Sequence, residues 1–79
     1  MNLQQSSEIC ERVCRVEGRT FSADLARGWH DLLSGVDYEV ALRASSLALQ
    51  DHNIHQVQPK HVRAKMVDAV AELNAALAG

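Results

Sequence analysis

Two cysteines and three histidines are the residues of this sequence whose types could bind a metal ion. Cys10 and Cys14 lie one helical turn apart, His52 and His55 are separated by two residues, and His61 follows shortly after. Structural zinc sites take cysteines from a turn and histidines from a helix, whereas this histidine pair falls in a predicted loop. We therefore expect no metal site and no cofactor, and interpret the cysteines as small apolar residues on a helix flank.

Residues that could act in catalysis are scattered along the chain. Acid-base or covalent catalysis needs a nucleophile beside a base, or two carboxylates whose surroundings separate their pKa values. No serine stands in a nucleophile elbow, and the carboxylates fall at helix starts or on solvent faces. His30, next to Trp29, is predicted to be a surface or boundary residue rather than a general base. The sequence predicts a protein that is not an enzyme and has no catalytic residues.

A basic segment, "PKHVRAK", opens the last predicted helix. Lys60, Arg63 and Lys65 precede any acidic residue there, and the free N–H groups of a helix start favour an anion. The formal net charge of the chain is −2, however, and no aromatic residue lies nearby to stack on bases. We expect at most weak, salt-sensitive contact with nucleic acid, and interpret the segment mainly as the solvated flank of an amphipathic helix.

Length and composition describe one small folded domain, residues 1–79. Of the 79 residues, 47% are hydrophobic and 23% charged, which is ordinary for a globular protein. No apolar run approaches the ~18 residues that cross a bilayer. The polar start "MNLQQSSE" lacks the order of a signal peptide. We expect a cytoplasmic protein with reduced thiols and no membrane contact.

Hydrophobic periodicity predicts an all-α fold, a compact bundle of four helices at about residues 3–17, 22–34, 37–51 and 59–78. Gly18 and Gly35 are expected to end the first and second helices. Ser22 and Asp37 are expected to cap the second and third, and Pro59 to begin the fourth. The short connection around Gly35 predicts that the second and third helices pack as antiparallel neighbours.

Helical wheels assign a core face to each predicted helix. The first is expected to bury Ile9, Val13 and Val16. The Ala-rich third helix has a narrow polar stripe, so we predict that it is central and packed from several sides. Alternatively, Val40 and Leu47 on that helix form an apolar patch for a partner. Other residues assigned to the core are Phe21, Leu25, Trp29, Leu32, Leu33, Tyr38, Ile54, Val57, Val62, Met66, Ala69, Val70, Leu73, Ala76 and Leu77.

Several of these features follow one another in a distinctive order between Phe21 and Lys65. "WHDLLSGVDYEVALRA" gives a helix ending in Trp-x-x-x-Leu, an acidic-aromatic turn and an Ala-rich helix, and "VQPKHVR" then gives a Pro-x-x-Val helix start. The pattern resembles the helicase loader and inhibitor family of bacteriophages and the replisome proteins of actinobacterial phages. The positions that match are Trp29, Leu33, Asp37, Tyr38, Ala41, Ala44, Pro59, Val62 and Arg63.

The resemblance implies a phage-encoded replication accessory protein whose helical domain docks onto other replication proteins. Family members carry a further, largely disordered C-terminal region that engages the replicative helicase, whereas this sequence ends at Gly79. The resemblance therefore does not extend to helicase loading itself, and the expected roles are an adaptor, an inhibitor or a domain put to another use.

The leading hypothesis is a non-enzymatic domain that binds a replication or regulatory protein through exposed helix residues. The expected partner-binding residues are Val40, Arg43, Leu47, Lys60, Arg63 and Lys65. One alternative is a small DNA-binding regulator that uses the basic start of the last helix. Another is a homodimer that buries Val40 and Leu47 against a second copy.

Overall fold

Five α-helices make up the computed structural model, which describes residues 1–78. They are α1 (Leu3–Glu17), α2 (Ala23–Leu33), α3 (Tyr38–Gln50), α4 (Pro59–Ala64) and α5 (Met66–Ala78). No strand occurs within that range. The all-α fold class is confirmed, and the first three helices agree with the predicted ranges to within one residue at each end. Gly79, the predicted end of the last apolar stripe, lies outside the described residues.

Local chemistry sets the boundaries of the first three helices. The side chains of Ser22 and Asp37 each accept a hydrogen bond from the backbone N–H three residues further on, at 3.1 and 3.2 Å. Asn2, a cap that the sequence analysis did not assign, does the same for α1 at 2.8 Å. Gly18 ends α1 in the left-handed conformation, with φ of 70°. The predicted roles of Ser22, Asp37 and Gly18 are therefore confirmed.

The predicted fourth helix is wrong in one respect, because two helices separated by Lys65 occupy its range. Lys65 has φ of −93° and ψ of 0°, and its N–H is shared by the carbonyls of His61 and Val62 at 3.2 and 3.1 Å. This tightened turn ends α4 after six residues. The Lys65 ammonium pairs with Asp51 at 2.8 Å. No glycine or proline marks the break, and the apolar residues keep their helical spacing on both sides of Lys65. The sequence pattern therefore does not reveal that the helix is interrupted there.

Helix α3 is the centre of the molecule, as its composition predicted. It packs against α1, α4 and α5, and Ala41, Ala44, Ser45 and Ala48 have no exposed surface. Small side chains on this face let three other helices approach closely. The other helices supply the larger core residues, which include Ile9, Val13, Trp29, Leu33 and Val62.

The expectation that α2 and α3 pack as antiparallel neighbours is wrong. Helix α2 packs against α1 and α4, while α3 packs against α1, α4 and α5. The connection between α2 and α3 enters the core through Val36, which is 4% exposed, and so keeps the two helices apart. Helix α5 is instead the antiparallel neighbour of α3, because the ion pairs Asp51–Lys65 and Arg43–Glu72 join them in reversed order.

The buried face of α1 differs from the predicted one by a rotation about the helix axis. Cys10 and Cys14 lie in the core with 0% and 1% exposure, beside Ile9 and Val13, whereas Val16 is 63% exposed. Both faces of α1 are apolar enough to satisfy a helical wheel, so only the position of the neighbouring helices decides between them. The cysteines are therefore core residues rather than flank residues.

Several apolar residues assigned to the core lie at the surface. Phe21 and Leu32 are largely exposed, and Tyr38 is half-buried with its hydroxyl donating to Glu8 at 3.1 Å. The largest error concerns α5, where only Ala69 is buried and Val70, Ala76 and Leu77 are exposed. In contrast, Ile54 and Val57 do pack against the core, as predicted.

Among residues 1–78, no helix combines the length and the apolar content that spanning a membrane requires.

We expect enlargement of the buried face of α3 to destabilise the protein. Ala44→Leu should lower the free energy of unfolding by about 1 to 3 kcal/mol, because the added methyl groups have no space among the packed helices. Ala75→Leu, at an exposed position of α5, should change it by less than about 0.5 kcal/mol. Urea unfolding followed by Trp29 fluorescence measures both, and equal tolerance of the two substitutions would contradict close packing around α3.

Candidate functional site

An open groove of about 380 Å³ lies between α2 and the start of α4. Its apolar lining comes from Leu25, Trp29 and Leu32 of α2 and from Pro59 of α4. The indole is 3% exposed and belongs mainly to the core, whereas Leu32 is 55% exposed. The other residues that line this groove, which we call the α2–α4 groove, are Arg19, Asp24, Gly28 and Gln58.

An ion pair at the end of α1 positions one wall of the groove. Arg19 Nη2 forms an ion pair with Glu17 Oε1 at 2.8 Å and donates a hydrogen bond to the carbonyl of Val57 at 2.7 Å, while the N–H of Val57 donates to Glu17 Oε2 at 3.0 Å. Both side chains are mostly buried, which strengthens these charge-assisted hydrogen bonds. The pair thus holds both backbone groups of Val57 and fixes the chain just before Gln58 and Pro59.

A second contact fixes the distance between the two helices that form the groove. Arg63 of α4 donates from Nε and Nη2 to the carbonyl oxygen of Leu32, at 2.9 and 2.6 Å. The last carbonyls of a helix have no partner within the helix and carry its negative dipole end, so a guanidinium there is favourable. Arg63 therefore stabilises the arrangement of α2 and α4 while it keeps its full positive charge.

Gly28 leaves one side of the groove without a side chain. It lies in the middle of α2, where glycine costs roughly 1 kcal/mol relative to alanine. A Cβ atom placed on Gly28 would have no heavy atom within 4 Å, and its φ is not positive. Neither packing nor backbone conformation within the described chain therefore requires glycine at this position. The missing side chain leaves room for a group from another molecule to approach the α2 backbone.

The charges around the groove differ between its two sides. On α2, Asp24 pairs with Arg27 at 2.9 Å and Asp31 is exposed, so that side is slightly negative. On α4, Lys60 is exposed, and Arg63 donates to a neutral carbonyl rather than to a carboxylate. The α4 side is therefore positive. An apolar helix with acidic residues along one edge has the shape and the charge that this groove would accept.

The remaining partner-binding residues predicted from the sequence lie elsewhere. Val40 and Leu47, expected to be exposed, are half-buried against the core. Arg43 lines a separate groove of about 320 Å³ beside Leu73, and its guanidinium binds Glu72 at 2.7 and 3.1 Å. Lys60 directly follows Pro59 of the groove lining and Arg63 donates to Leu32, so these two border the α2–α4 groove without lining it, and the other four lie elsewhere. A binding role for those four stays a prediction.

The candidate metal ligands do not converge within the described chain. No three of the His, Cys, Asp and Glu side chains of residues 1–78 lie close enough together to hold a metal ion. His52 and His55 are exposed in the connection before α4, and His61 accepts the backbone N–H of Gln58 at 2.9 Å. Cys10 and Cys14 are free thiols in the core. Burial, together with the neighbouring Cys14, raises the pKa of Cys10 to about 12.

A serine and a histidine that are distant in the sequence lie within hydrogen-bond distance of each other, and the sequence analysis did not predict this contact. Ser6 Oγ and His30 Nδ1 are 2.9 Å apart, as in a nucleophile and its base. Ser6 has no exposed surface, however, so a substrate cannot reach its hydroxyl. The hydrogen bond satisfies a buried polar group between α1 and α2.

Comparisons with known proteins add no further constraint on this geometry. No protein-family model, no curated protein and no solved structure matches the chain. The resemblance to phage replication proteins therefore stays a prediction that depends on the residues themselves. Its Trp29 and Pro59 both line the α2–α4 groove, and its Arg63 joins the two helices across it.

Sequence reasoning missed Leu25, Gly28 and Leu32 as residues of the site. The two leucines were assigned to the core because they share the apolar stripe of α2. Gly28 carried a readable signal, since an isolated glycine inside a helix lowers its stability without an evident gain. The groove itself has no signal in the sequence, because it depends on the contact of α2 with α4.

We expect the buried thiols to be protected from alkylation. At pH 8, iodoacetamide should modify Cys10 and Cys14 roughly 10²- to 10³-fold more slowly in the native protein than in urea, because reaction requires unfolding of a marginally stable domain. Mass spectrometry measures the rates. A chelator should leave the protection unchanged, and modification as fast as in urea would contradict burial of this face of α1.

We also expect Lys65 to control the titration of Asp51. The hydrogen bond from Lys65, with one from the backbone of Asn53, lowers the pKa of the Asp51 carboxyl below its ordinary value of 3.8. A lowered pKa in the folded state stabilises the fold above the ordinary value, and this contribution is lost as the pH falls through the folded-state pKa. Lys65→Met should raise the Asp51 pKa in an NMR titration, whereas Lys60→Met should not. An unchanged Asp51 pKa in Lys65→Met would show that the ion pair is absent in solution.

Proposed function

We propose that this protein is a non-enzymatic protein-interaction domain, a small helical bundle that binds a helix of its partner in the α2–α4 groove. The observation that carries the proposal is the open surface above Gly28, next to the exposed side chain of Leu32. An exposed apolar side chain beside a glycine that folding does not require offers both apolar contact and space to a helix of another protein.

The charges beside the groove favour a partner segment with an acidic edge. Lys60 and Arg63 lie on the α4 side. On α2, Asp24 is paired with Arg27 while Asp31 is exposed, so an acidic edge of the partner faces α4. An amphipathic helix with leucine or valine on one face and glutamate or aspartate along one edge is complementary to both features.

We further propose that the protein is a phage-encoded replication accessory protein that works in the host cytoplasm. The resemblance supports this proposal, because Trp29, Pro59 and Arg63 of the shared pattern all line or support the groove. The partner is then a replication or regulatory protein of the host or the phage. Within this proposal the protein acts as an adaptor or an inhibitor by binding a helix of that partner in the α2–α4 groove.

DNA binding through the start of α4 is the alternative, and the contacts of the basic residues weigh against it. Arg63 donates to the Leu32 carbonyl, and Lys65 pairs with Asp51. Within the basic segment, the side chain of Lys60 makes neither of these contacts. Lys60 and Arg63, whose guanidinium is held by the Leu32 carbonyl, supply only a small part of the phosphate neutralisation that DNA binding requires.

A side chain at Gly28 tests the groove directly. Gly28→Met should weaken binding to the partner at least tenfold, because the new side chain fills the open surface of α2. The same change should keep the free energy of unfolding or raise it by up to about 1 kcal/mol, since glycine is a poor helix former. Ala75→Met, at an exposed position of α5, is the matched control and should leave binding unchanged.

The probes are a purified bacterial replicative helicase, a primase and a DNA duplex, each titrated against the fluorescently labelled protein. Binding to a replication protein that is lost in Gly28→Met supports both the groove and the replication assignment. Binding that Gly28→Met leaves intact would reject the groove. Binding to duplex DNA alone, persisting at physiological salt and abolished by Lys60→Glu with Arg63→Glu, would establish the alternative instead.

A further inference from the structure

Helix α5 exposes an apolar strip on the side that does not face α3. Val67 is 79% exposed, Val70 41% and Leu77 87%, and Asn74 between them is also exposed. The spacing of these four residues is three, four and three. This is the spacing of the a and d positions of a coiled coil, with Val67 and Asn74 at a and Val70 and Leu77 at d. We call these four residues the α5 strip.

We propose that the α5 strip is a homodimer interface, in which α5 of one copy pairs in parallel with α5 of a second copy. The proposal is independent of the α2–α4 groove, which has no residue of α5 in its lining. A β-branched residue at a and leucine at d favour two-stranded parallel pairing, and Val67 and Leu77 follow this preference, whereas Val70 at d departs from it. The strip therefore fits a second copy of this chain.

Asn74 selects the parallel orientation. In a parallel pair the a positions face each other, so the amide of Asn74 meets the same amide of the partner and the two can form a hydrogen bond. In an antiparallel pair an a position faces a d position, which would place Asn74 against Val70 and leave the amide without a partner. An unsatisfied buried amide is unfavourable, so the parallel pair is preferred.

The charges near the α5 strip are compatible with a twofold axis. A symmetric dimer brings identical residues together, and any charge at its centre would face a like charge. The α5 strip contains no charged residue. Asp68 lies at position b, away from the contact, and Glu72 lies at position f, where Arg43 of α3 neutralises it at 2.7 Å. Two exposed alanines, Ala71 and Ala78, border the strip and allow close approach.

The length of α5 limits the strength of the dimer. Thirteen residues form a helix roughly 20 Å long. Such a strip buries less than the roughly 800 Å² per partner of a standard interface. We therefore expect a dissociation constant in the micromolar range. The sequence analysis offered Val40 and Leu47 as the contact of a homodimer. Those two residues are half-buried against the core, so we place the dimer contact on α5 instead.

Cross-linking through an introduced thiol tests both the dimer and its orientation. Val67→Cys should form an intermolecular disulfide under mild oxidation, since position 67 faces itself in a parallel pair. In an antiparallel pair, the two introduced thiols would be roughly 15 Å apart along the helix axis and would not react. Ala75→Cys, exposed at position b, is the matched control and should not form an intermolecular disulfide. The natural Cys10 and Cys14 are buried and do not compete.

Sedimentation over a concentration range from about 1 µM to 1 mM gives the second measurement. The unmodified protein should change from monomer to dimer within this range, Val70→Lys should stay monomeric, and Gly28→Met should dimerise normally. A protein that is monomeric throughout, a trimer or larger assembly, or cross-linking of Ala75→Cys as fast as Val67→Cys would overturn the proposal. None of these outcomes changes the partner titrations that test the groove, so the two proposals fail separately.

Discussion

The packing of this protein depends on the small side chains along one face of α3. Ala41, Ala44, Ser45 and Ala48 are fully buried, and this allows α1, α4 and α5 to pack around a single helix. A chain of 79 residues has little apolar material for its core, and close helix approach gives good packing with few large residues. Because three helices occupy the surroundings of α3, α2 is held at the periphery by α1 and α4. The α2–α4 groove is a consequence of that position.

Polar contacts hold the peripheral parts of the fold in place. Arg19 with Glu17 fixes the chain before α4, Arg63 joins α4 to the end of α2, and Lys65 joins the α4–α5 turn to the end of α3. Residues that look like a basic patch in the linear sequence are therefore largely engaged within the molecule. Few cations of that segment are left without an internal contact, and for this reason the proposed partner is a protein rather than a phosphate backbone.

The functional site was only partly predictable. Lys60 and Arg63 could be identified because basic residues at a helix start are visible in sequence. The hydrogen bonds of Arg63 could not be predicted, since their acceptor is the carbonyl of Leu32, 31 residues away. Leu32 belongs to the apolar stripe of α2 in a helical wheel and proves to be exposed only because α4 covers a different part of that stripe. Gly28 was the one local sign of the groove, and its meaning depended on knowing that nothing in the folded chain approaches it.

Local interactions determined the helix content and most helix boundaries, and these were readable from the sequence alone. Ser22, Asp37 and Gly18 act through backbone groups within a few residues, so their effects do not depend on the rest of the fold. The tertiary structure alone decided the break at Lys65, the burial of Cys10 instead of Val16, and the exposure of the α5 strip. Each of these depends on which helix lies opposite, because burial and ion pairing between distant residues are properties of the packed helices. A periodic pattern along one helix shows which residues can be buried, but the number and position of its neighbours decide which of them are.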